Sequence, residues 1–228
     1  MNMKMPLVVA SFLLLLVTSA NAQINSKHVL GLSELPYTWI LDPTRSDGSQ
    51  LQVLKKPIKL YAATAAGARI IATIKKLEDA ELTDHGYEEA SAVTYQARNG
   101  WYRIGYLSGN RIAQGWIRSE DVVKYRSLET LLVNRMSYLT EHWNKQLWKS
   151  PLASSQYRKV KQKNENASSG YDARIITTKR TAARLWLKVE VLGGEGCEYD
   201  TRKVIARGWI PAHSAAGSLT AWFYSRGC

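Results

Sequence analysis

The residue types that could carry out catalysis are few and widely spaced in this sequence. A zinc site on a helix needs the spacing His-Glu-x-x-His, and it is absent among the four histidines, which are His28, His85, His142 and His213. A cysteine nucleophile needs a histidine close by to activate it, and Cys228 has no such base beside it in the sequence. Glu88-Glu89 is a pair of neighbouring acidic residues in a polar stretch, which is typical of a solvated loop. The sequence therefore predicts no enzyme, no metal and no cofactor, although a hydrolase that uses Cys197 stays an alternative.

The composition is that of a folded, basic protein. The chain has 228 residues, of which 45% are hydrophobic and 10% aromatic, and this argues against intrinsic disorder. It contains 31 lysines and arginines against 19 aspartates and glutamates, so its formal net charge is +12. Two cysteines are too few for a disulfide-rich miniprotein or for a zinc site of four cysteines. The length is sufficient for one or two domains with buried cores.

The first 22 residues have the features of a secretory signal peptide. Lys4 precedes an apolar run over residues 7–17, and Ala20-Asn21-Ala22 supplies the small residues that signal peptidase requires. As a helix this run would rise by about 16 Å, which is too short for a hydrocarbon core of about 30 Å. We therefore expect cleavage after Ala22 and a periplasmic or secreted protein without a transmembrane anchor.

Export changes what the two cysteines predict. Oxidation is favoured outside the cytoplasm, and both thiols lie in the last part of the chain. We expect a disulfide between Cys197 and Cys228 that fixes the C-terminus. Closing a loop of this length stabilises a protein by about 3 kcal/mol in the chain-entropy model.

The rest of the chain repeats itself, and such internal similarity is informative about architecture. The matched positions are offset by 87, 84, 85 and 93 residues, in the pairs Tyr61/Trp148, Tyr87/Tyr171, Trp101/Trp186 and Trp116/Trp209. The last offset is larger because the second copy has an eight-residue insertion that contains the stretch from Gly193 to Cys197.

Each copy is predicted to consist of short strands. Residues 69–74 are rich in β-branched side chains, residues 92–96 alternate between two faces, and residues 101–106 lead into the turn Ser108-Gly109-Asn110. A single helical turn is expected at residues 119–122. Short strands separated by turns favour a small all-β barrel.

A helix is predicted between the two copies. Apolar residues recur there with the spacing of one helical face, at Leu128, Leu131, Leu132, Met136 and Leu139. The sequence thus predicts a short, partly helical linker over residues 127–144.

The pattern Trp-Tyr-x-Ile followed by Gly-Trp-Ile resembles the bacterial SH3-like (SH3b) domain family. It stands at residues 101–104 and 115–117 in the first copy, and the second copy has Leu187 in place of Tyr102. The resemblance covers about residues 51–126 and 145–228 and implies two SH3-like barrels in tandem, after an N-terminal extension at 23–50. The exchange of Tyr102 for Leu187 and the insertion leave open whether both copies prefer the same ligand.

The resemblance also implies extracytoplasmic modules that bind cell-wall peptides or glycans. Flat rings bury a large area at little entropic cost, so aromatic residues suit such a groove. The groove candidates are Tyr61, Tyr87, Tyr102, Trp148 and Tyr171. We expect the repeated tryptophans to lie mostly in the core or the barrel seam, namely Trp101, Trp116, Trp186 and Trp209.

Charge divides unevenly between the copies. Residues 51–126 carry a net charge of +4 and residues 145–228 carry +9. Where the first copy has an acidic stretch between Glu78 and Glu89, the second has a basic patch formed by Arg158, Lys159, Lys161 and Lys163. This patch favours a polyanionic partner such as a wall polymer, lipopolysaccharide or an acidic protein face, although two solvated loops of opposite sign are the alternative. Nucleic acid is not expected, because export removes it as a partner.

The sequence thus predicts a non-enzymatic exported binding protein. Its partner would be a cell-wall peptide or glycan, or an envelope protein. The alternative is a periplasmic inhibitor or immunity-type protein that binds a secreted enzyme.

Overall fold

Strands dominate the protein, as the alternating sequence patterns predict. The computed structural model describes residues 28–44, 48–86, 89–161, 171–193 and 202–225. Seventeen strands and one α-helix of five residues lie in these ranges, with 3₁₀ turns at Leu77–Asp79 and Ser119–Asp121. No helix within these ranges has both the length and the apolar character needed to cross a membrane.

The first half of the chain contributes ten strands. They are β1 (Gly31–Glu34), β2 (Tyr37–Leu41), β3 (Gln50–Leu54), β4 (Ile58–Tyr61), β5 (Ile70–Ile74), β6 (Leu82–Gly86), β7 (Glu89–Arg98), β8 (Trp101–Ser108), β9 (Arg111–Arg118) and β10 (Lys124–Ser127). The second half contributes α1 (Leu128–Leu132), β11 (Met136–Leu139), β12 (Gln146–Trp148), β13 (Tyr157–Lys159), β14 (Asp172–Arg180), β15 (Leu185–Leu192), β16 (Val204–Pro211) and β17 (Ala221–Phe223).

The two halves form antiparallel sheets with the same strand order. The first sheet has the order β10-β1-β7-β8-β9-β4-β5, with β6 paired to β7, and the second has β17-β11-β14-β15-β16-β12-β13. Each strand of the second sheet thus occupies the place of its counterpart in the first. The hairpin of β2 and β3 is separate from both sheets. The sequence repeat is therefore also a repeat of topology.

A β-bulge recurs at the same place in both sheets. β7 skips Tyr95 in its pairing with β8, and β14 skips Ile176 in its pairing with β15. After the bulge, pairing resumes at Arg103 of β8 in the first sheet and at Lys188 of β15 in the second. The sequence repeat matches these two residues with each other. Bulges bend a strand and change which side chains face a given side, so the two sheets share this local geometry as well.

The sheets are open. Within the described residues, the two edge strands of the first sheet, β5 and β10, do not pair with each other. The edge strands of the second sheet, β13 and β17, do not pair with each other either. The all-β class predicted from the sequence is confirmed, but closed barrels are not what this strand pairing forms.

The apolar stripe between the copies folds as a helical turn and a strand. The side chain of Ser127 accepts a hydrogen bond from the backbone N–H of Thr130 at the start of α1. After α1, Asn134 has the left-handed φ of 57°, and β11 then pairs with β14 on one side and β17 on the other. The prediction of a helix that continues to Leu139 is wrong, because pairing with two strands satisfies the backbone of β11 there. Residues 127–144, which we expected to be a linker, thus contain a strand of the second sheet.

A shared core joins the two sheets. One cluster of buried side chains combines Leu32 and Val93 of the first sheet with Leu128, Leu131 and Leu132 of α1 and with the inner face of the second sheet. A second cluster lies within the first half of the chain and includes Leu60, Ile104 and Ile117 together with Leu54 of β3.

Polar contacts cross the same junction. His213 Nε2 lies 2.9 Å from the backbone oxygen of Val29. Arg135 Nη1 donates to the backbone oxygen of His85 at 3.1 Å. Within the second half, Arg180 forms an ion pair with Glu129, and this connects α1 to β14.

Candidate ligand-binding faces

The predicted groove residues divide between two sides of the sheets. Tyr61 and Trp148 lie at equivalent places, at the ends of β4 and β12, and neither belongs to a core cluster. Tyr102 instead packs against the core of the first sheet and stacks on Tyr125, with ring centroids 4.9 Å apart.

Tyr171 is also on the core side. It packs against the shared core and meets Trp143 edge to face at 5.6 Å. In the described residues no ring contact joins Tyr61 to Tyr102, or Trp148 to Tyr171. The predicted Tyr87, Lys163, Cys197 and Cys228 lie outside the described residues, as does the predicted signal peptide at 1–22.

Tyr61 belongs to a set of side chains on the outer face of the first sheet. It stands opposite Trp116 on β9, which in turn stands opposite Arg103 on β8. In the neighbouring row, Trp101 on β8 stands opposite Arg98 on β7 and Arg118 on β9. Directly opposed residues of antiparallel strands lie on the same face, and so do residues two apart along a strand. We call this set outer face 1; it consists of Tyr61, Arg98, Trp101, Arg103, Trp116 and Arg118.

The guanidinium group of Arg118 contacts two rings of outer face 1. Tyr61 and Trp101 meet at 5.3 Å between centroids with an interplanar angle of 84°, which is the favourable edge-to-face arrangement. The guanidinium carbon of Arg118 lies 5.4 Å from the Tyr61 centroid and 5.5 Å from the Trp101 centroid, within cation–π distance of both. Arg118 also donates to Glu120 Oε1 at 3.2 Å, and this bond raises the pKa of Arg118.

The second sheet has a matching set. Trp148 on β12 stands opposite Trp209 on β16, which stands opposite Lys188 on β15. In the neighbouring row, Trp186 on β15 stands opposite Lys179 on β14. We call this set, with the arginine described next, outer face 2; it consists of Trp148, Lys179, Arg184, Trp186, Lys188 and Trp209.

The ring geometry of outer face 2 repeats that of outer face 1. Trp148 and Trp186 meet at 5.6 Å with an interplanar angle of 76°, and Tyr157 packs on Trp148 at 5.7 Å. The guanidinium carbon of Arg184 lies 5.8 Å from the Trp186 centroid. Trp186 is only 2% exposed although it belongs to neither core cluster. Its burial therefore comes from the side chains of the outer face.

We expected the repeated tryptophans to lie mostly in the core or the barrel seam, and only Trp186 is fully buried. Trp101, Trp116 and Trp209 are half-buried, and none of them belongs to a core cluster.

The guanidinium reaches the two faces from different positions. In the first sheet, Arg118 stands opposite Trp101. The corresponding residue of the second sheet is Pro211, which stands opposite Trp186. Arg184 precedes Trp186 by two residues, where the first copy has Asn99. The same tryptophan is thus covered by an arginine in both sheets, although the repeat does not match the two arginines.

Several cations of the outer faces have no acidic partner. Among the residues that the structure describes, no ion pair involves Arg98, Arg103, Lys179 or Lys188. Glu190, two residues from Lys188 on β15, is paired with Arg207 at 2.6 Å and with Arg174 at 3.4 Å. Glu81, whose carboxylate lies beside Gly105 on β8, accepts a hydrogen bond from Tyr95. In the described part of the chain, both faces thus have cations without an ion-pair partner beside aromatic rings.

The predicted basic patch adjoins outer face 2. Arg158 and Lys159 are exposed on the edge strand β13, and Lys161 follows that strand. Lys159 lies on the same face as Trp148, because the register pairs Tyr157 with Trp148.

The acidic stretch of the first copy is largely used within the fold. Asp79 Oδ2 accepts hydrogen bonds from the backbone N–H groups of Lys75 and Lys76. Glu81 Oε2 accepts from Tyr95 Oη at 2.6 Å. These carboxylates are not a free acidic surface that corresponds to the basic patch.

One group of side chains has the residue types of a serine hydrolase triad. Ser91 Oγ and His85 Nδ1 are hydrogen-bonded at 3.0 Å, and His85 Nε2 lies 3.0 Å from Glu89 Oε2. Ser91 is 0% exposed, so its hydroxyl does not reach a substrate. In such triads the histidine Nε2 faces the serine and its Nδ1 faces the carboxylate. In this protein Nδ1 faces Ser91 and Nε2 faces Glu89. Burial lowers the pKa of His85, and the group connects β6 to β7.

Comparisons of the chain with protein-family models, with curated proteins and with solved structures found no match. The SH3-like resemblance therefore stays a prediction, and the function has to be argued from the two outer faces.

Proposed function

We propose that this protein is a non-enzymatic exported binding protein of two SH3-like units, whose outer faces bind cell-wall or envelope components. The observation that carries the proposal is that aromatic residues match aromatic residues, and cations match cations, at five equivalent positions of the two outer faces. Core residues recur in a duplicated chain because each copy needs a core. Solvent-facing positions of a sheet have no such requirement and are commonly polar, so their match supports a shared binding role.

The SH3-like part of the proposal is supported by where the motif lies. The segments Trp-Tyr-x-Ile and Gly-Trp-Ile form the adjacent strands β8 and β9, and their counterparts form β15 and β16. In both sheets the motif thus provides neighbouring inner strands, and its tryptophans provide the outer face.

The chemistry of the faces suits wall material. Half-buried rings offer apolar surface to a sugar ring or a peptide. Cations without acidic partners attract the carboxylate or phosphate groups of such polymers, and this attraction weakens with salt.

The test is whether the chain from residue 23 pellets with isolated cell-wall sacculi. We expect pelleting at low salt and less at moderate salt. Trp116→Ala and Arg103→Gln should each weaken binding by about fivefold, since ring and cation contacts contribute on the order of 1 kcal/mol. Matched controls are Trp39→Ala on β2 and Arg111→Gln at the end of β9, because both residues are exposed and lie outside the outer faces. Folded protein that stays in the supernatant at low salt would contradict the proposal, and stoichiometric capture of one secreted enzyme would favour the inhibitor alternative instead.

A further inference from the structure

We infer that each chain has two equivalent sites for the same acidic polysaccharide, one on each outer face, and that the rigid junction lets both bind one polymer. This inference rests on the proposed function and specifies its ligand class and number of sites.

The equivalence of the sites follows from the order of side chains across the strands. Each face has an aromatic ring, a tryptophan and a cation on three adjacent strands. Since neighbouring strands are about 4.8 Å apart, such a row is about 10 Å long. The rows are Tyr61–Trp116–Arg103 and Trp148–Trp209–Lys188.

This order selects an acidic sugar polymer. The apolar side of a sugar ring fits against the half-buried Trp116 or Trp209, while its acidic group reaches Arg103 or Lys188. Neither cation has an ion-pair partner in the described part of the chain, so an anionic ligand gains a favourable electrostatic contact with both. A neutral glycan would leave both cations uncompensated.

The size of the matched surface favours a thin polymer over a folded protein. A stable protein interface usually takes about 20–30 residues on each side. Only five positions match between the outer faces, in two narrow rows.

The exchange of Tyr102 for Leu187 does not affect this surface. Tyr102 stands opposite Ile117 and Leu187 stands opposite Ile210, and all four side chains face the cores. The exchange of Tyr102 for Leu187 therefore changes core packing and leaves the row of ring, tryptophan and cation in place.

The junction holds the two sites at a fixed separation. The buried cluster contains Leu32 and Val93 from the first sheet together with α1 and the second sheet. The contacts of His213 with Val29 and of Arg135 with His85 cross it as well. Once one site has bound a polymer, the other is therefore presented to the same chain at a high effective concentration.

The test uses the chain from residue 23 with three probes: a short oligogalacturonate, long polygalacturonate and neutral dextran. Calorimetry with the short oligomer should give two sites per chain. Arg103→Gln with Trp116→Ala should leave one site, and Lys188→Gln with Trp209→Ala should leave the other. The long polymer should bind at least about tenfold more tightly than the short oligomer, and either pair of substitutions should abolish this advantage. Dextran should not bind.

Several results would overturn the inference. They are a single site for the short oligomer, equal binding of dextran, no binding of either galacturonate to folded protein, or a polymer advantage that persists after one face is lost. The single variants Arg103→Gln and Lys188→Gln, which remove no buried ring, serve where the tryptophan variants fail the circular dichroism check of folding. Sacculi that pellet the protein while the oligomer occupies one site would leave the proposed function standing and reject the second site.

Discussion

The glycine of each Gly-Trp-Ile triplet controls how closely two strands approach. A Cβ atom on Gly115 would lie 3.0 Å from Leu60 Cβ, and one on Gly208 would lie 2.7 Å from Leu147 Cβ. Both leucines are buried core residues on the strand that carries the aromatic ring of an outer face. The glycine thus lets that strand pack tightly, and this brings the ring beside the tryptophan that follows the glycine.

We predict that Gly208→Ala lowers the free energy of unfolding by about 1–3 kcal/mol, because the added methyl group overpacks the core at Leu147. Chemical denaturation followed by circular dichroism measures the change. Gly67→Ala is the matched control, since a Cβ there has no heavy atom within 4 Å, and its effect should be below about 1 kcal/mol. Equal denaturation midpoints for the Gly208→Ala variant and the wild type would show that the core has room for the methyl group.

Tyr125 gives the protein a dependence on alkaline pH. Burial, with a smaller contribution from Glu129, raises its pKa from 10.0 to about 12. Its hydroxyl donates to the backbone oxygen of Leu30 at 3.1 Å, so the folded protein holds this proton more tightly than the unfolded chain does.

We predict that the stability contributed by this proton is fully present below pH 10 and is lost as the pH rises towards 12. Urea midpoints measured between pH 9 and pH 12 should therefore fall less steeply for Tyr125→Phe than for the wild type. The variant should also start from a lower value, because it lacks the hydrogen bond to Leu30. Parallel curves for the two proteins would mean that Tyr125 ionises equally in the folded and unfolded states.

At the scale of elements, local patterns predict the hairpin that carries the outer faces. The expected turn Ser108-Gly109-Asn110 is confirmed between β8 and β9, with the positive φ of 60° at Gly109. The helical turn expected at residues 119–122 is confirmed as the 3₁₀ turn Ser119–Asp121. Both features depend on residues close together in the sequence, which is why the sequence is informative about them.

Long-range pairing is where local patterns fail. The stripe from Leu128 to Leu139 fits a helix by spacing alone, but β11 pairs with β14 and β17, which lie far along the chain. The skipped residues Tyr95 and Ile176 likewise follow from the pairing of β7 and β14 with their neighbours. No local pattern reveals these partners.

The composition of the outer faces is only partly visible in the sequence. The repeat shows that the tryptophans match, but the side of the sheet on which they lie depends on the strand register. Arg118 and Arg184 occupy unmatched positions of the repeat, so only their distances to Trp101 and Trp186 reveal the shared role.

At the scale of the whole molecule, the junction makes the two sheets depend on each other for stability. α1 contributes three buried leucines to a cluster that includes residues of both sheets. Leu132 is 0% exposed within it. Because neither sheet buries this surface alone, we expect the described fold to unfold cooperatively.

We predict that Leu132→Ala destabilises the protein by about 2–5 kcal/mol, the usual effect of removing a fully buried leucine side chain. Thermal unfolding followed by circular dichroism and by tryptophan fluorescence should give one coincident transition in the wild type and in the variant. Leu107→Ala is the control, because Leu107 is 50% exposed, and its effect should be below about 1 kcal/mol. Two separate transitions, only one of them shifted, would show that the sheets unfold independently.

The position of β1 has a consequence for folding during synthesis. β1 precedes the other described strands in the sequence, but it pairs with Ala92 to Thr94 of β7 and with Lys124 to Ser127 of β10. In the second sheet, Ser137 of β11 likewise pairs with Phe223. Contacts of such high sequence separation slow folding. We therefore expect each sheet to be completed only after its last strand has been synthesised, because that strand pairs with the first strand of the same sheet.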